Sequence, residues 1–394
     1  MTTPAPTPTT TDLGMVLGGG GARGAYQVGV LRGIAAMYPE LHIPILVGVS
    51  AGAVNATHLA AHPGTFAESM EALVRLWLSL TPDQVFRVDA SSLASNVMRS
   101  GFRLMAGGQA HPEHFQGMMD TAPLRTFLEG VLERDADGTL PGITQNLAHG
   151  RLRAVALCAT SYTTSQSVTW VQGRDIATWE RPQRRSTHAR LTVDHVMAST
   201  ALPLLFPATR VENEWFGDGG IRLTAPLSPA LHLGASRIIT IATRYDRTGE
   251  EAARPQVVGY PPPAQVLGVL YNAVFLDLID QDVMRMQWTN RLVERLPVGQ
   301  RHGLRVVDVL VLRPSRDLSR LAGAYEPKLP RVFRFLTRGL GTKQTDSPDV
   351  LSLVMFQEDY LRRLIELGES DAYQQRDRIA AFLERPPAED AVTA

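Results

Sequence analysis

One serine stands between two glycines where the sequence changes from an apolar run to a helical pattern. Ser50 is the centre of the pattern Gly-x-Ser-x-Gly, with Gly48 and Gly52 on either side. Residues 43–49 before it are apolar enough for a buried strand, and residues 51–61 after it read as a helix. In this context glycines permit a sharp turn, and the N-terminus of the helix favours negative charge at the serine. The pattern predicts a nucleophilic serine; the alternative is a tight turn with an incidental serine.

A cluster of glycines ends the first apolar run of the chain, residues 13–17. It comprises Gly18, Gly19, Gly20, Gly21, Ala22, Arg23 and Gly24, and a helical pattern follows it over 25–37. Glycines in such a place let backbone N–H groups approach an anion at a helix N-terminus. The cluster also fits the Gly-x-Gly-x-x-Gly of dinucleotide sites, but the next strand ends at Ser50 rather than at an acid for the ribose. The oxyanion of an acyl-transfer intermediate is therefore the predicted anion.

An aspartate followed by two glycines lies much later in the chain. Asp218 precedes Gly219 and Gly220. Alone, Asp-Gly is the commonest signal for a β-turn. A nucleophilic serine needs a base, however, and none of the ten histidines stands in a motif-like setting. We therefore predict that Asp218 is the base, with a Ser-His-Asp triad that would use His232 or His302 as the alternative.

The elements around these motifs predict an α/β fold. Apolar runs that read as strands alternate with helical patterns, which indicates a mainly parallel central sheet with helices on both faces. The predicted strands are residues 13–17, 43–49, 151–163, 167–172, 237–242 and 306–312, and the predicted helices are residues 25–37, 51–61, 65–80, 123–132, 191–199, 264–296 and 350–367. The short turn at 164–166 predicts that the strands around it pair directly.

In their order along the chain, these motifs resemble those of the patatin-like phospholipase family. The resemblance rests on the glycine loop from Gly19 to Gly24, on the serine pattern at 48–52, on Asp218 with Gly219 and Gly220, and on a fourth block at 198–203 with Phe206 and Pro207. It covers roughly residues 13–242, and several ordered motifs are more specific than any one of them. The chain departs from the family pattern in having four glycines before Ala22 rather than three.

The resemblance implies a patatin-like hydrolase core that cleaves acyl esters, in the manner of a phospholipase A or lysophospholipase. Ser50 would be the nucleophile, and Asp218 would take its proton directly, with no histidine between them. Gly20 and Gly21 would donate N–H groups to the oxyanion. Arg23 would brace the loop or contact a phosphate head group. A catalytically inactive lipid-binding protein of the same fold is the alternative from another class.

Composition divides the chain into four predicted segments. Residues 1–12 and 385–394 are predicted to be disordered tails, residues 13–244 a patatin-like catalytic domain, and residues 245–384 a mostly helical C-terminal extension. Residues 81–117 are a candidate lid. Within them, residues 91–104 carry apolar side chains among serines and arginines, so they are predicted either as a membrane-docking element or as an ordinary core-packing helix.

Charge and cysteine content argue against several other classes of function. The 394 residues include 39 basic and 39 acidic side chains, and a net charge of zero argues against nucleic acid as a partner. A single cysteine, Cys158, excludes an internal disulfide and a cysteine-rich metal site. No metal-binding motif occurs, so we expect neither a metal nor a cofactor. The expected partners are a lipid or acyl-ester substrate and, transiently, a membrane surface, with a cytoplasmic location.

Overall fold

The structure, a computed structural model, describes residues 12–87, 117–257, 259–329 and 348–385, together with positions 334, 338, 339, 341 and 342. The predicted docking element at 91–104 lies outside the described residues, and so do the predicted tails apart from Asp12 and Arg385. Of the candidate lid at 81–117, only positions 81–87 and 117 are described.

One mixed sheet lies at the centre of the described residues. Its strands are β1 Leu13–Leu17, β2 Ile45–Val49, β3 Ala154–Ser161, β4 Ser167–Gly173, β5 Glu180–Arg181, β6 Arg184–His188, β7 Thr209–Val211, β8 Glu214–Asp218, β9 Arg237–Ile241 and β10 Asp308–Leu312. The strand order is β10-β9-β1-β2-β3-β4-β6-β5, and β8 pairs with both β3 and β7. The run from β10 to β3 is parallel, whereas β4 and β8 run antiparallel to β3. The carboxyl ends of the parallel strands therefore share one edge of the sheet.

Helices cover both faces of this sheet. They are α1 Gly24–Met37, α2 Ala51–Ala61, α3 Phe66–Ser79, α4 Pro82–Val85, α5 Ala122–Val131, α6 Pro141–Ala148, α7 Val193–Thr200, α8 Ser228–His232, α9 Gly249–Ala252, α10 Pro263–Phe275, α11 Leu278–Arg295, α12 Leu318–Gly323, α13 Asp349–Val354, α14 Glu358–Gln374 and α15 Arg376–Leu383. Short 3-10 turns occur at Gly21–Arg23, Gly219–Ile221, Val298–Gln300 and Glu326–Lys328. The predicted α/β fold class, with a mostly parallel sheet and C-terminal helices, is confirmed.

The central strand β1 shows why helices are needed on both faces. Leu13, Met15 and Leu17 belong to one apolar core, which α1 and α3 share, whereas Val16 belongs to the core on the other face. All four side chains are fully buried. Because side chains alternate along a strand, a strand that is apolar at every position must be covered on both faces. The second core includes Ile279 of α11.

Two helices that are far apart in sequence cross closely over the first face. A Cβ atom at Gly29 of α1 would lie 2.0 Å from the carbonyl oxygen of Ile365 in α14, and one at Gly368 would lie 2.3 Å from that of Tyr26. Glycine at both positions therefore permits backbone contact between the helices. The Tyr26 hydroxyl donates a hydrogen bond to Asp371 across the crossing, at 3.0 Å. The chain after residue 245 thus supplies a covering helix, and through β10 it also supplies an edge strand.

Two predicted helices are each divided into two. The pattern over 264–296 forms α10 and α11, and the pattern over 350–367 forms α13 and α14. The first division lets Phe275 pack on Gly220, where a Cβ would lie 2.2 Å from the ring, and lets Ile279 pack on Gly18. Apolar periodicity continues through each division because both halves pack against the protein interior, so the sequence pattern alone does not reveal the turn.

Candidate active site

Ser50 lies on a tight turn between β2 and α2. Its φ angle is 55°, in the left-handed region that serine rarely adopts. The flanking glycines make the turn possible, because a Cβ at Gly52 would lie 2.0 Å from the Leu17 carbonyl oxygen and one at Gly48 would lie 2.6 Å from Ala53 Cα. The sharp strand-to-helix turn predicted from the sequence is present. It places the serine at the N-terminal, electropositive end of α2.

A second serine holds this turn from behind. The Ser50 N–H donates to Ser199 Oγ at 3.0 Å, and the Ser199 hydroxyl donates to the Cys158 carbonyl oxygen at 2.6 Å. Ser199 is fully buried in α7. It belongs to the fourth sequence block at 198–203, although no role was predicted for it there.

Burial raises the pKa of the Cys158 thiol to about 11, so this thiol stays protonated near neutral pH and does not compete as a nucleophile.

Asp218 is completely buried at the carboxyl end of β8. Its Oδ1 atom accepts the Gly220 N–H at 2.9 Å, and the Ser50 side chain also interacts with the carboxylate. The Oδ2 atom has no hydrogen-bond partner among the described residues. Burial raises the pKa of Asp218 to about 7, although the contacts with Ser50 and Gly220 favour the charged form. A carboxylate with such a pKa is well suited to accept a proton near neutral pH.

Backbone contacts hold Asp218 against the sheet. The residue pairs with Ala159 of β3, and its carbonyl oxygen accepts the Thr160 hydroxyl at 2.9 Å. Its N–H donates to the Ala201 carbonyl oxygen at 2.8 Å. Because β3 is also the neighbour of β2, the strand order brings Asp218 beside Ser50.

The glycine loop lies directly beside Ser50. A Cβ atom at Gly19 would lie 3.1 Å from Ser50 Cβ. Gly20 and Gly21 have φ angles of 150° and 54°, a backbone conformation that favours glycine. The Thr243 hydroxyl donates to the Gly19 carbonyl oxygen at 2.9 Å and so fixes the orientation of the loop. The N–H groups of Gly19 and Gly20 donate to no backbone acceptor within the described ranges.

Arg23 is buried behind this loop. Its Nη2 atom lies 2.9 Å from Asp349 Oδ1, and the guanidinium also donates to Ser319 at 2.6 Å and to Ser352 at 2.8 Å. The side chain is 3% exposed. Of the two predicted roles, bracing of the loop agrees with this burial, whereas contact with a phosphate head group does not.

Further contacts fix the two ends of the loop. A Cβ at Gly21 would lie 2.1 Å from the Leu353 carbonyl oxygen, so α13 packs directly on the loop backbone. Gln27 Nε2 donates to the Gly18 carbonyl oxygen at 3.0 Å, and Asn55 Nδ2 donates to Gln27 Oε1 at 3.1 Å. Neither amide was predicted as part of the site from the sequence. The sequence feature that could have indicated them is a polar side chain at an apolar position of a predicted helix. A polar side chain buried at such a position needs a hydrogen-bond partner.

An apolar cavity of about 40 Å³ adjoins Ser50. Trp77 of α3, Leu124 of α5, Phe206 and Phe356 are among the side chains that line it. Such a lining suits a hydrocarbon chain better than a polar group. The cavity is small, so its walls must move apart to admit a long chain.

The described histidines do not join Ser50 and Asp218. Burial lowers the pKa of His58 and of His195 to about 4, so both imidazole rings are uncharged at about pH 7. His232 stacks on Trp179 with ring centroids 4.5 Å apart, and His302 is exposed. In the part of the chain that the structure describes, no histidine is hydrogen-bonded to the serine or the aspartate. This arrangement favours a dyad over the alternative triad.

Two tyrosines border the buried carboxylate, and the sequence analysis missed them. The negative charge of Asp218 raises the pKa of Tyr162 and of Tyr271, after the larger effect of burial. The Tyr271 hydroxyl donates to the Pro203 carbonyl oxygen at 2.5 Å. Tyr162 is 44% exposed, and a Cβ at Gly217 would lie 2.2 Å from its hydroxyl oxygen. Tyr162 is therefore a neutral, partly exposed hydroxyl group beside β8.

The sequence profile of the patatin-like phospholipases matches residues 15–231, more than half of the chain. The chain belongs to this family. The matched part contains the glycine loop, the Ser50 turn and Asp218. The match confirms the resemblance to the patatin-like phospholipases that the ordered motifs predicted. No curated protein matches the chain.

Several solved structures are similar to this patatin-like chain at low identity. VipD from Legionella pneumophila is 15% identical, with 95% of this chain and 67% of VipD covered and a TM-score of 0.38. Human GIVD cytosolic phospholipase A2 is 12% identical, with 94% and 59% covered and a TM-score of 0.46. The same human protein in complex with methyl gamma-linolenyl fluorophosphonate gives 12% identity, 94% and 58% coverage and a TM-score of 0.44. The match spans less than two thirds of the human protein's length.

Two further features of the described residues bear on metal binding and on membrane spanning. Within residues 12–87, 117–257, 259–329 and 348–385, no three His, Cys, Asp or Glu side chains are grouped so that they could hold a metal ion. No described helix of this patatin-like chain is both long and apolar enough to cross a bilayer.

Proposed function

We propose that the chain is a serine hydrolase that cleaves acyl ester bonds of lipids, in the manner of a phospholipase A or lysophospholipase. Membership of the patatin-like family supports lipid acyl hydrolysis. The assignment of Ser50 as nucleophile and Asp218 as base rests on one observation. A buried carboxylate, with a pKa raised to about 7, interacts with a serine that is held on a strained turn.

In the acylation step, Ser50 Oγ attacks the ester carbonyl carbon while Asp218 accepts the hydroxyl proton. A new carbon–oxygen bond forms, and the carbonyl π electrons move to the oxygen, which becomes an oxyanion. When this intermediate collapses, the bond to the alcohol oxygen breaks and the proton passes from Asp218 to that oxygen. The products are the free alcohol and an acyl ester of Ser50.

In the deacylation step, water replaces the serine as the nucleophile. Asp218 accepts a proton from the water, the water oxygen bonds to the acyl carbon, and the bond to Ser50 Oγ breaks. The proton returns to Ser50, and the fatty acid leaves. One carboxylate thus serves as base and acid in both steps, which a group titrating near neutral pH can do.

The glycine loop is the proposed oxyanion hole. Gly20 and Gly21 are the predicted donors, and the positive φ angles of both residues set the direction of the backbone there. Each such donor contributes about 3 kcal/mol to stabilisation of the transition state, because the charge develops only during the reaction. Neither a metal nor a cofactor has a step in this scheme.

The apolar cavity beside Ser50 is the proposed site for the acyl chain, and the polar part of the lipid would remain outside it. All the proposed reacting groups lie in residues 13–244, the proposed catalytic domain. Residues 245–384 supply Asp349 and Leu353, which contact Arg23 and the glycine loop from behind.

Labelling with a fluorophosphonate tests the proposal, because this reagent reacts covalently with an activated serine. The wild-type protein should be labelled and should hydrolyse short p-nitrophenyl esters. Ser50→Ala should abolish both, and Asp218→Asn should slow hydrolysis by about 10⁴-fold. The proposal is wrong if folded Ser50→Ala protein keeps substantial hydrolysis.

Ser165 offers a matched control. It also has a φ angle of 55°, but it lies exposed on the turn between β3 and β4. Ser165→Ala should retain both labelling and hydrolysis. Loss of labelling in this variant would mean that the assay does not report on Ser50.

A further inference from the structure

Helix α11 carries a row of exposed apolar side chains. Met284, Trp288 and Leu292 are each more than half exposed. Because they are spaced four residues apart, they lie along one face of the helix. Val298, just beyond the end of the helix, is 66% exposed. Single exposed apolar residues are ordinary, but an aligned row of this kind marks an interaction surface.

The opposite face of α11 already packs against the protein. Ile279, Val283 and Val293 are buried, and the first two belong to the core on the second face of the sheet. The exposed row is therefore an additional apolar face, and the fold does not need it to anchor the helix.

Arginines share this exposed face. Arg285, Arg291 and Arg295 lie three or four residues from Trp288 or Leu292, which places them beside the apolar row. All three are exposed, and none forms a salt bridge with another described residue. Asp280, an acidic residue near this face, is paired with Arg313. Glu294 is exposed between Arg291 and Arg295 and offsets one of the three positive charges, so the face keeps a positive balance although the chain as a whole has no net charge.

We infer that this face of α11, formed by Met284, Arg285, Trp288, Arg291, Leu292 and Arg295 and called here the α11 face, docks the protein on a lipid surface that contains anionic head groups. A role for this docking in lipid hydrolysis rests on the proposed function. Binding of the α11 face to a lipid surface does not depend on that function. Met, Trp and Leu would enter the boundary of the acyl region, and the arginines would extend to the head groups.

A lipid surface with negative charge matches this composition. Tryptophan is enriched where a bilayer meets water, because its ring has an apolar body and a polar N–H. Basic residues beside such a ring are attracted to anionic lipid.

Helix α11 begins beside the active site. Ile279 at the start of the helix packs on Gly18 of the glycine loop. Trp288 follows nine residues later, which is about 14 Å along the helix axis. Asn290 exchanges hydrogen bonds with Val307, which directly precedes β10, so α11 runs from the loop toward the amino-terminal edge of the sheet, and the α11 face lies along the flank of the protein.

Co-sedimentation of the full chain with vesicles tests the inference. The Ser50→Ala variant is used so that the lipid is not consumed. It should bind vesicles of equal parts phosphatidylcholine and phosphatidylglycerol more tightly than vesicles of phosphatidylcholine alone. Adding Trp288→Glu with Leu292→Glu should weaken binding to both kinds of vesicle at least tenfold. Changing Arg285, Arg291 and Arg295 to Gln should instead remove the preference for the anionic vesicles, by about fivefold for each arginine.

Tyr373→Glu is the matched control, because Tyr373 is a similarly exposed aromatic residue on a different helix, α14. It should leave vesicle binding unchanged. The same surface changes placed in the Ser50-containing protein should leave hydrolysis of a soluble ester intact, which shows that they fold. If the soluble ester is not hydrolysed by wild-type protein, the proposed function fails even when vesicle binding holds.

Three results would overturn the inference. One is equal vesicle binding by Ser50→Ala protein with and without the Trp288 and Leu292 changes. Another is the absence of binding to either kind of vesicle. The third is self-association in solution that disappears with Trp288→Glu, because it would show that a second copy of the chain covers the α11 face.

Discussion

Arg23 and Asp349 lie at opposite ends of the chain and form a buried ion pair, with Nη2 and Oδ1 2.9 Å apart. Arg23 lies in the glycine loop, and Asp349 begins α13. Ser319 and Ser352 complete the set of hydrogen bonds around the guanidinium. The pair therefore connects the proposed oxyanion hole to a segment that lies beyond the part of the chain matched by the family profile.

Asp349→Ala should reduce both stability and turnover. The change leaves a buried guanidinium without its counter-charge, at a cost of about 3–5 kcal/mol in the free energy of unfolding. We expect kcat on a soluble ester to fall at least tenfold while KM changes little, because the loop acts on the transition state rather than on the bound ester. Denaturant unfolding and steady-state kinetics measure the two effects.

Asp359→Ala is the control for that prediction. Asp359 also pairs with a basic side chain, Lys328, but both groups are exposed, and such pairs contribute about 0–1 kcal/mol. It should change neither stability nor kcat appreciably. Asp349→Asn should recover part of the lost turnover, because its amide oxygen can still accept from Arg23. A purely structural role for Asp349 would lower stability without the selective loss in kcat.

Local sequence patterns were sufficient for some parts of the fold and candidate site. Gly48 and Gly52 are needed within a few residues of Ser50, so the turn is readable from a five-residue window. The strands of the parallel sheet were readable because each is a short, continuous apolar run. Asp218 could be singled out because glycines follow it and because the serine needs a base.

The contacts that hold the site could not be predicted in the same way. Arg23 meets residues that lie about three hundred positions later, and nothing in its own neighbourhood specifies Asp349 rather than another acid. Tyr162 and Tyr271 approach Asp218 only because strand order and the α10 helix bring them there. Such pairings depend on the three-dimensional packing of the chain rather than on local periodicity.

Hydrolysis should increase with pH through neutrality. Asp218 can accept the serine proton only as a carboxylate, and its pKa is raised to about 7, mainly by burial. Below that pKa, kcat/KM on a soluble ester should fall about tenfold per pH unit, and above it kcat/KM should reach a plateau. The measurement follows fatty-acid release over the pH range where the fold is intact. A profile that stays flat down to about pH 5 would contradict Asp218 as the base.

Asp218→Asn should make the protein more stable at high pH while inactivating it. Because the folded-state pKa is raised above the ordinary aspartate value of 3.8, the folded protein holds this proton more tightly than the unfolded chain does. The wild type therefore loses stability as pH rises between those two values, on the order of a few kcal/mol in total. Asn does not ionise, and its oxygen can still accept the Gly220 N–H.

The comparison needs unfolding curves at two values of pH. The stability of Asp218→Asn relative to wild type should be greater at about pH 8 than at about pH 4, where the wild-type carboxyl is protonated in the folded state. A stability difference that is the same at both values would mean that Asp218 is not desolvated as described. Ser165→Ala, an exposed change, should show no such dependence on pH.

Replacement of the histidines should leave the chemistry intact. His232 is occupied in a stack with Trp179, and His302 is exposed, so neither is expected to take part in proton transfer. The variants His232→Ala and His302→Ala should retain fluorophosphonate labelling and ester hydrolysis within a fewfold of wild type. His195→Ala should also remain active, although loss of the buried ring against Trp170 should lower stability by about 1–3 kcal/mol. A histidine variant that is folded but inactive would favour a triad.

Hydrolysis of a soluble ester should not depend on a metal ion. In the proposed scheme the backbone N–H groups of Gly20 and Gly21 stabilise the oxyanion, and a carboxylate activates the serine, so both roles that a metal can take are already filled. The assay compares dialysed protein in excess EDTA with the same protein after addition of calcium. The substrate must be a soluble ester, because calcium also changes the surface of anionic vesicles and would affect docking through the α11 face. We expect equal rates in both arms. Activity that disappears with EDTA and returns with calcium would show that the dyad of Ser50 and Asp218 does not account for the chemistry by itself.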